Sequence, residues 1–260
     1  MSGLWHLDEG SGATSADSSG NGNTATLNSS PAWVTGESGK GLTFDGTSYL
    51  TAPLGTWWGA NNTLSASAWV FATSTSNGPI FGVTSTLPGI GWDMPFLSIA
   101  GSTVFGWLWQ VNGNTPLSAT VTLNAWHLLT ITYDPNGGGA GVGKEIFYVD
   151  GAASSSGTGT YSPSGATDYL TTQIQGAKPS AVTNNILNGT IDELRAYTRV
   201  LSAGEIALLY NARQVCTSSV CSGCPAGTTS CGGGVCQNTA CGACGSPCSG
   251  TQQCVSGTCM

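Results

Sequence analysis

Along the first 213 residues, apolar positions come in short clusters that alternate with polar ones, and Gly, Pro, Asn or Asp stands in nearly every gap. A period of two places every second side chain on one face of a strand, and the punctuating residues are those that turns require. Strands are predicted at Leu4–Leu7, Ala25–Leu27, Leu42–Phe44, Tyr49–Thr51, Leu64–Phe71 and Ile80–Val83. More follow at Phe96–Ile99, Val104–Val111, Trp126–Tyr133, Ile146–Val149, Tyr169–Ile174 and Thr190–Tyr197. So many short strands point to an all-β, two-sheet antiparallel sandwich. One helix is predicted. Ser202-Ala203-Gly204-Glu205 has the S-x-x-E spacing of a capping box, and Ile206, Leu209 and Tyr210 recur at helical spacing through Asn211.

Composition narrows the function classes. With 6 basic and 13 acidic residues the net charge is −7, so nothing here neutralises a run of phosphates and nucleic acid is excluded as a partner. No apolar stretch approaches the roughly 20 residues of a membrane-spanning helix. Disorder is excluded for the bulk of the chain, because 40% of the residues are apolar.

The cysteines divide the chain. Residues 1–215 contain none, and residues 216–260 contain all 10 together with no charged, His or aromatic side chain. Such a tail cannot bury enough surface to offset its chain entropy, so crosslinks must order it. Cys221-x2-Cys224-x6-Cys231-x4-Cys236 parallels Cys241-x2-Cys244-x9-Cys254-x4-Cys259, with Cys216 and Cys248 left over. We read two short disulfide-stapled repeats, with Cys216–Cys248 as a bridge between them. The rival is zinc on Cys221, Cys224, Cys241 and Cys244, which leaves six cysteines unexplained. Disulfides imply an oxidising compartment. Met1-Ser2-Gly3-Leu4-Trp5 shows neither a basic nor an apolar leader region, so the expectation is a trimmed piece of a secreted, extracellular or cell-surface protein.

Three groups of motifs carry a resemblance. They are Trp5-His6-Leu7-Asp8-Glu9-Gly10-Ser11-Gly12 with Asp17–Asn23 and Gly41–Gly46; Ser67–Val70, Trp126–Asp134 and Phe147–Gly151; and Leu187–Tyr197 with Arg199–Ser202. In this order they resemble the laminin-G-like group of concanavalin A-like jelly rolls, over residues 3–213. The resemblance implies that the first and last strands lie side by side, and that Trp5, Trp69 and Trp126 are core residues. It implies little about activity, because this fold hosts lectins, adhesion modules and hydrolases.

Catalysis finds no support in the residues. Retaining glycosidases need two carboxylates about 5 Å apart, but Asp8-Glu9 and Asp192-Glu193 are adjacent and point to opposite faces of a strand. His6 and His127 sit within strands among apolar neighbours. Calcium fits better: it takes six to eight hard oxygen ligands, and the Asp17–Asn23 loop supplies them. The expected structural Ca²⁺ site is Asp17, Asn23 and Asp192, with Glu9 or Glu193 in support. The alternative is a plain run of turn residues. For a glycan, exposed aromatic rings stack on sugar C–H faces; Trp57, Trp58, Trp92 and Asp93 lie in loops and are the ligand candidates. Trp107 and Trp109 share one face of the Val104–Val111 strand and look like sheet packing.

Two functions from different classes remain. One is a secreted, non-enzymatic binding or adhesion module recognising a glycan or cell-surface protein, carried on a disulfide-rich stalk. The other is a self-assembling structural subunit of an extracellular filament, sheath or coat, joined through unpaired strand edges. Asn28, Asn61 and Asn188 head N-x-[ST] triplets that could carry glycans in a eukaryote.

Overall fold

The computed structural model describes residues 1–55, 62–85, 93–108, 111–161, 168–174 and 185–211, and in the tail 228–231, 235–238, 254–255 and 258–259. It divides into two compact units, Met1–Tyr210 and Asn211–Met260. In the first unit the strands are β1 (Gly3–Trp5), β2 (Thr14–Ser15), β3 (Ala25–Asn28), β4 (Ala32–Thr35), β5 (Lys40–Asp45) and β6 (Tyr49–Gly55). Next come β7 (Leu64–Ala72), β8 (Asn77–Ser85), β9 (Asp93–Ala100), β10 (Thr103–Gly106), β11 (Leu117–Thr120) and β12 (Ala125–Asp134). The set closes with β13 (Lys144–Val149), β14 (Ala152–Thr158), β15 (Asp168–Thr171), β16 (Gln173–Ile174), β17 (Asn185–Ile186), β18 (Asn188–Tyr197) and the helix α1 (Ala203–Asn211).

These strands form two antiparallel layers. The first runs β14-β13-β12-β7-β18, and the far side of β18 is shared between β5, continued by β4, and β1. The second runs β11-β10-β9-β8-β15-β6-β3-β2. One register pair, Asn188↔Asn77, joins them. Between the layers pack Phe44, Leu42, Val70, Leu129, Ile131 and Phe147 of the first and Leu50, Phe81, Phe96 and Leu170 of the second. Edge-to-face ring contacts cross the interior from Phe81 to Phe96 (6.4 Å), Tyr161 (6.3 Å) and Tyr133 (5.8 Å), a geometry that ring quadrupoles favour.

The central strand β7 is covered on both faces. Ala66, Ala68 and Val70 face the interior. On the outer face, Trp69 stacks on Tyr210 of α1 at 5.7 Å, and Tyr148, Tyr197, Leu201 and Ile206 make a second small core. The capping box forms as predicted: the Glu205 N–H donates to Ser202 Oγ (3.2 Å) and the Ser202 N–H to Glu205 Oε2 (2.8 Å). A jelly-roll sandwich with one short helix is therefore the fold of this unit.

Several expectations are corrected. The strand from Leu4 stops at Trp5, because Leu7 takes a left-handed φ of 58° that turns the chain out of the sheet. The Val104–Val111 strand ends at Gly106, and Asn112–Asn114 forms a 3₁₀ turn; Trp109 lies outside the described residues. Tyr169–Ile174 breaks at Thr172, whose N–H and hydroxyl both bond to the backbone of Leu50. Trp5 is in the core as expected, whereas Trp69 is buried on the outer face. Trp126 is half-buried and meets Phe71 edge-on at 5.6 Å. The period of two explains this: Leu129 and Ile131 point inward, so Trp126 and Leu128 point outward.

In the second unit, β19 (Thr228–Cys231) pairs with β20 (Val235–Asn238), and β21 (Cys254–Val255) with β22 (Thr258–Cys259). The two hairpins fall at equivalent places in the two sequence repeats. Their registers differ: Cys254 lies opposite Cys259, whereas Cys231 lies opposite Val235.

Candidate functional site

The acidic residues picked out as calcium ligands fall into two separate settings. Asp17 organises the loop after β1. Its Oδ1 accepts the N–H groups of Leu4 (3.0 Å) and Ser19 (2.8 Å), and Oδ2 accepts that of Asn23 (2.9 Å). Burial works against its charge, but the bonds from Ser19, Asn23 and Leu4 outweigh it and hold the carboxyl below its ordinary pKa. Asn23 donates from Nδ2 to the Ser2 carbonyl (2.9 Å), and its own carbonyl accepts the Trp5 indole N–H (2.8 Å). Glu9 accepts the Ala16 N–H at 2.7 Å.

Asp192 and Glu193 instead occupy a seam. β18 pairs with β5 up to Ile191 and with β1 from Leu194, so at 192–193 the neighbouring strand changes. A bulge sits at this point, and Glu193 takes a φ of 53°. Backbone donors freed by the change are taken by carboxylates. The Ser38 N–H donates to Asp192 Oδ2 (2.9 Å), the Glu193 N–H to Asp192 Oδ1 (2.8 Å), and the Lys40 N–H to Asp8 Oδ1 (2.7 Å). Two positions of the loop have no room for a side chain: a Cβ on Gly36 would lie 2.5 Å from Asp192 Oδ2, and one on Gly39, at φ 68°, 2.2 Å from Asp8 Oδ1. Burial, aided by the charges of Glu193 and Asp8, pushes Asp192 up to about 8 against the opposing pull of the two N–H bonds. Glu193 pairs with His6 Nδ1 at 2.7 Å and with Arg195; the Glu193 bond raises the His6 pKa. β1 and β18 thus lie side by side, as the resemblance implies. Asp17 and Asn23 turn to the loop, and Asp192 and Glu193 to the seam. Among the described residues no three His, Cys, Asp or Glu side chains gather into a group that could hold a metal ion.

His127 is a clip. Nδ1 lies 2.7 Å from Asp150 Oδ2, and Nε2 lies 3.0 Å from the Thr122 carbonyl and 3.1 Å from the Thr122 hydroxyl. Asp150 also accepts the Leu128 N–H at 3.0 Å. The ring thus ties the turn that carries Thr122 to the turn that carries Asp150.

The strand ends that flank the ligand candidates are neighbours, and Asp93, expected in a loop, opens β9 instead. Gly55, the last residue of β6, lies opposite Asp168, the first of β15; Asp168 lies opposite Ser85, the last of β8; and Thr84 lies opposite Asp93, the first of β9. Chain segments 56–61, 86–92 and 162–167 leave from these adjacent ends. Trp57, Trp58 and Trp92 are on the first two of them and lie outside the described residues. The Phe96–Tyr161–Tyr133 ring contacts carry the same end across to the first layer.

Two residues were not singled out from the sequence. Trp33 on β4 is half-buried against the core, and its indole N–H donates to the Gly12 carbonyl at 3.2 Å. Glu145 on β13 is fully buried. Its signal was present: in Lys144-Glu145-Ile146-Phe147-Tyr148-Val149 the alternation puts Glu145 on the core face with Phe147.

This two-layer architecture defines a lectin-type jelly roll. A sequence profile described as the Concanavalin A-like lectin/glucanases superfamily matches residues 44–207, and the chain belongs to that family. Among solved structures it is similar to domain 4 of AbnA, an extracellular arabinanase from Geobacillus stearothermophilus, in complex with arabinotriose. The identity is 19% and the TM-score 0.54, over 80% of this chain and 97% of that one. It is also similar to the botulinum neurotoxin type G receptor-binding domain (16%, TM-score 0.52, 81% of this chain and 50% of that). A third similarity is to Trypanosoma rangeli sialidase in complex with sialic acid (18%, TM-score 0.53, 80% and 32%). The chain spans half or less of the last two. Comparison with curated protein sequences finds no match.

Proposed function

We propose that the jelly-roll unit is a non-enzymatic glycan-binding module of an extracellular protein, reading its ligand at the end where β6, β8, β9 and β15 terminate. The observation that carries this reading is the register Gly55↔Asp168↔Ser85 with Thr84↔Asp93, which makes neighbours of the strand ends that lead into Trp57-Trp58 and Trp92. The near absence of charge suits a neutral ligand, and the relative with 97% coverage is in complex with arabinotriose. The tail serves as a disulfide-stapled stalk. A glycan array followed by calorimetric titration tests the reading. Replacing Trp57, Trp58 or Trp92 by Ala should each cost about thirtyfold in affinity, the usual scale for a buried tryptophan contact, without lowering Tm. Undiminished binding by all three variants, or no binding to any glycan, rejects it.

One observation favours the structural alternative. β14 is an edge strand, Ala152-Ala153-Ser154-Ser155-Ser156-Gly157-Thr158, with no charge or proline to blunt it. Regular polymers seen by electron microscopy of the full chain, without glycan binding, would favour that reading.

A further inference from the structure

Glu145 is the buried acid that the glycan reading leaves unused. Its Oε2 accepts the Leu108 N–H at 3.2 Å, and its Oε1 is buried with no hydrogen-bond partner. The ionisable groups of the elements around it are few. On β12, Tyr133 donates its hydroxyl to the Gly159 carbonyl (3.2 Å) and accepts the Tyr161 N–H (2.8 Å), and Asp134 follows it. On β13, Lys144 precedes Glu145 and alternates to the other face. β14 and the stretch that carries Leu108 and Val111–Thr115 contribute none. Burial drives the carboxyl up to about 8 against the single Leu108 bond, with no cation to offset it.

The wall of this site is uneven. β12, β13 and β14 are locked to one another by continuous ladders. The Val111–Thr115 turn meets them, among the described residues, through the isolated bridge Val111↔Gly159 and through Asn112 against Gly157, where a Cβ would lie 2.5 Å from Asn112 Cβ and 3.0 Å from Glu145 Oε1. It also leaves regular structure: Asn112, Gly113 and Asn114 have φ of 49°, 63° and 63°, the left-handed region that Gly and Asn enter. Among the described residues a carboxylate here would face one N–H and no partner charge, which is unfavourable unless water enters.

We propose that Glu145 is a proton-controlled latch: as the neutral acid it holds Leu108 and the Val111–Thr115 turn against β14, and its ionisation hydrates the site and releases them. The turn lies at the end assigned to the ligand, so on the glycan reading the latch sets how open that rim is. Amide hydrogen exchange of the full chain between pH 5 and 9, expressed as protection relative to intrinsic rates, tests it without any sugar. In the wild type, protection at Leu108 and Val111–Thr115 should fall by up to tenfold per pH unit and level off near pH 8; in Glu145→Gln it should stay flat. Amides of Ile131 and Phe147 should not follow. A flat wild-type profile, an equal slope in E145Q, or strand amides falling in step would overturn the latch. Carbon-13 titration of the wild-type carboxyls needs no variant: a glutamate titrating near 8 supports it, and all glutamates in the ordinary range reject it. Sugar binding can fail with the latch intact, and the reverse.

Discussion

Asp192 and Glu193 are consecutive, yet the first is a buried acid holding two backbone N–H groups and the second an ion-pair partner of His6 and Arg195. Their placement sets a pH dependence. Asp192 is raised to about 8, so it is neutral in the folded chain and ionised in the unfolded one across the window between. Stability from such a group is full below its unfolded pKa and is lost as pH rises toward the folded value, by up to about 1.4 kcal/mol per pH unit. His6, also raised, acts in the same direction above its own ordinary value. Thermal melts should therefore show Tm falling from pH 5 to 8, with Glu145 adding to the fall in the same window, and Asp192→Asn should make that slope shallower even though it lowers Tm overall by removing an acceptor. An unchanged slope would mean that Asp192 is already charged in the fold. Asp17 tests the metal question in the same way. Losing the acceptor of three N–H groups should destabilise Asp17→Ala by about 1–3 kcal/mol in chelator, read as a shift in the denaturation midpoint, and the same melts in calcium test the metal. Calcium that stabilises the wild type and not the variant would support the expected site, and calcium without effect on either would count against it.

At the scale of elements, the helix is held by its first turn and by the face it presents. Ser202 and Glu205 each satisfy a backbone donor of the other, and Arg199 adds two bonds to Glu205. Ser202→Ala should cost about 1 kcal/mol, read as a shift in the denaturation midpoint. A near-zero change would assign α1 wholly to its packing on Trp69. The cap was legible because its chemistry is local. Interior strands were legible for a related reason: β7, β12 and β18 run over 9 or 10 residues with enough apolar side chains to be buried along most of their length. Edge strands were not. Ala152–Thr158 has nothing larger than Ala to alternate, and Ala32–Thr35 and Leu117–Thr120 are four residues each, so pairing alone makes them strands. The same limit governs the site. Asp8, Asp192 and Glu193 stand out as motif residues, but their task follows from β18 changing partners between β5 and β1, a fact about residues more than a hundred positions apart.

For the whole molecule, the two units obey different physics. Residues 1–210 bury a continuous apolar interior between layers, and the outer face of the first layer is completed by α1, whose Tyr210 covers Trp69 and whose Ile206 joins Tyr148, Tyr197 and Leu201. The tail pairs two short hairpins among its described residues, and its sequence supplies ten cysteines. A chain ending at Arg213 should therefore fold with a Tm within a few degrees of the full chain, and reductant should leave its melt unaltered. A chain ending at Leu201 loses Ile206 and Tyr210 together. Stripping those two large side chains from a packed face costs about 3–5 kcal/mol for each ring-sized loss and somewhat less for the aliphatic one. That is comparable with the entire stability of an ordinary domain, so this shorter chain should melt far lower or fail to fold. Near-ultraviolet circular dichroism follows both truncations through Trp69. Should the Arg213 chain lose its tryptophan signal, or should reductant collapse it in the full chain, the sandwich would depend on the tail and the two units could not be treated as separately stable.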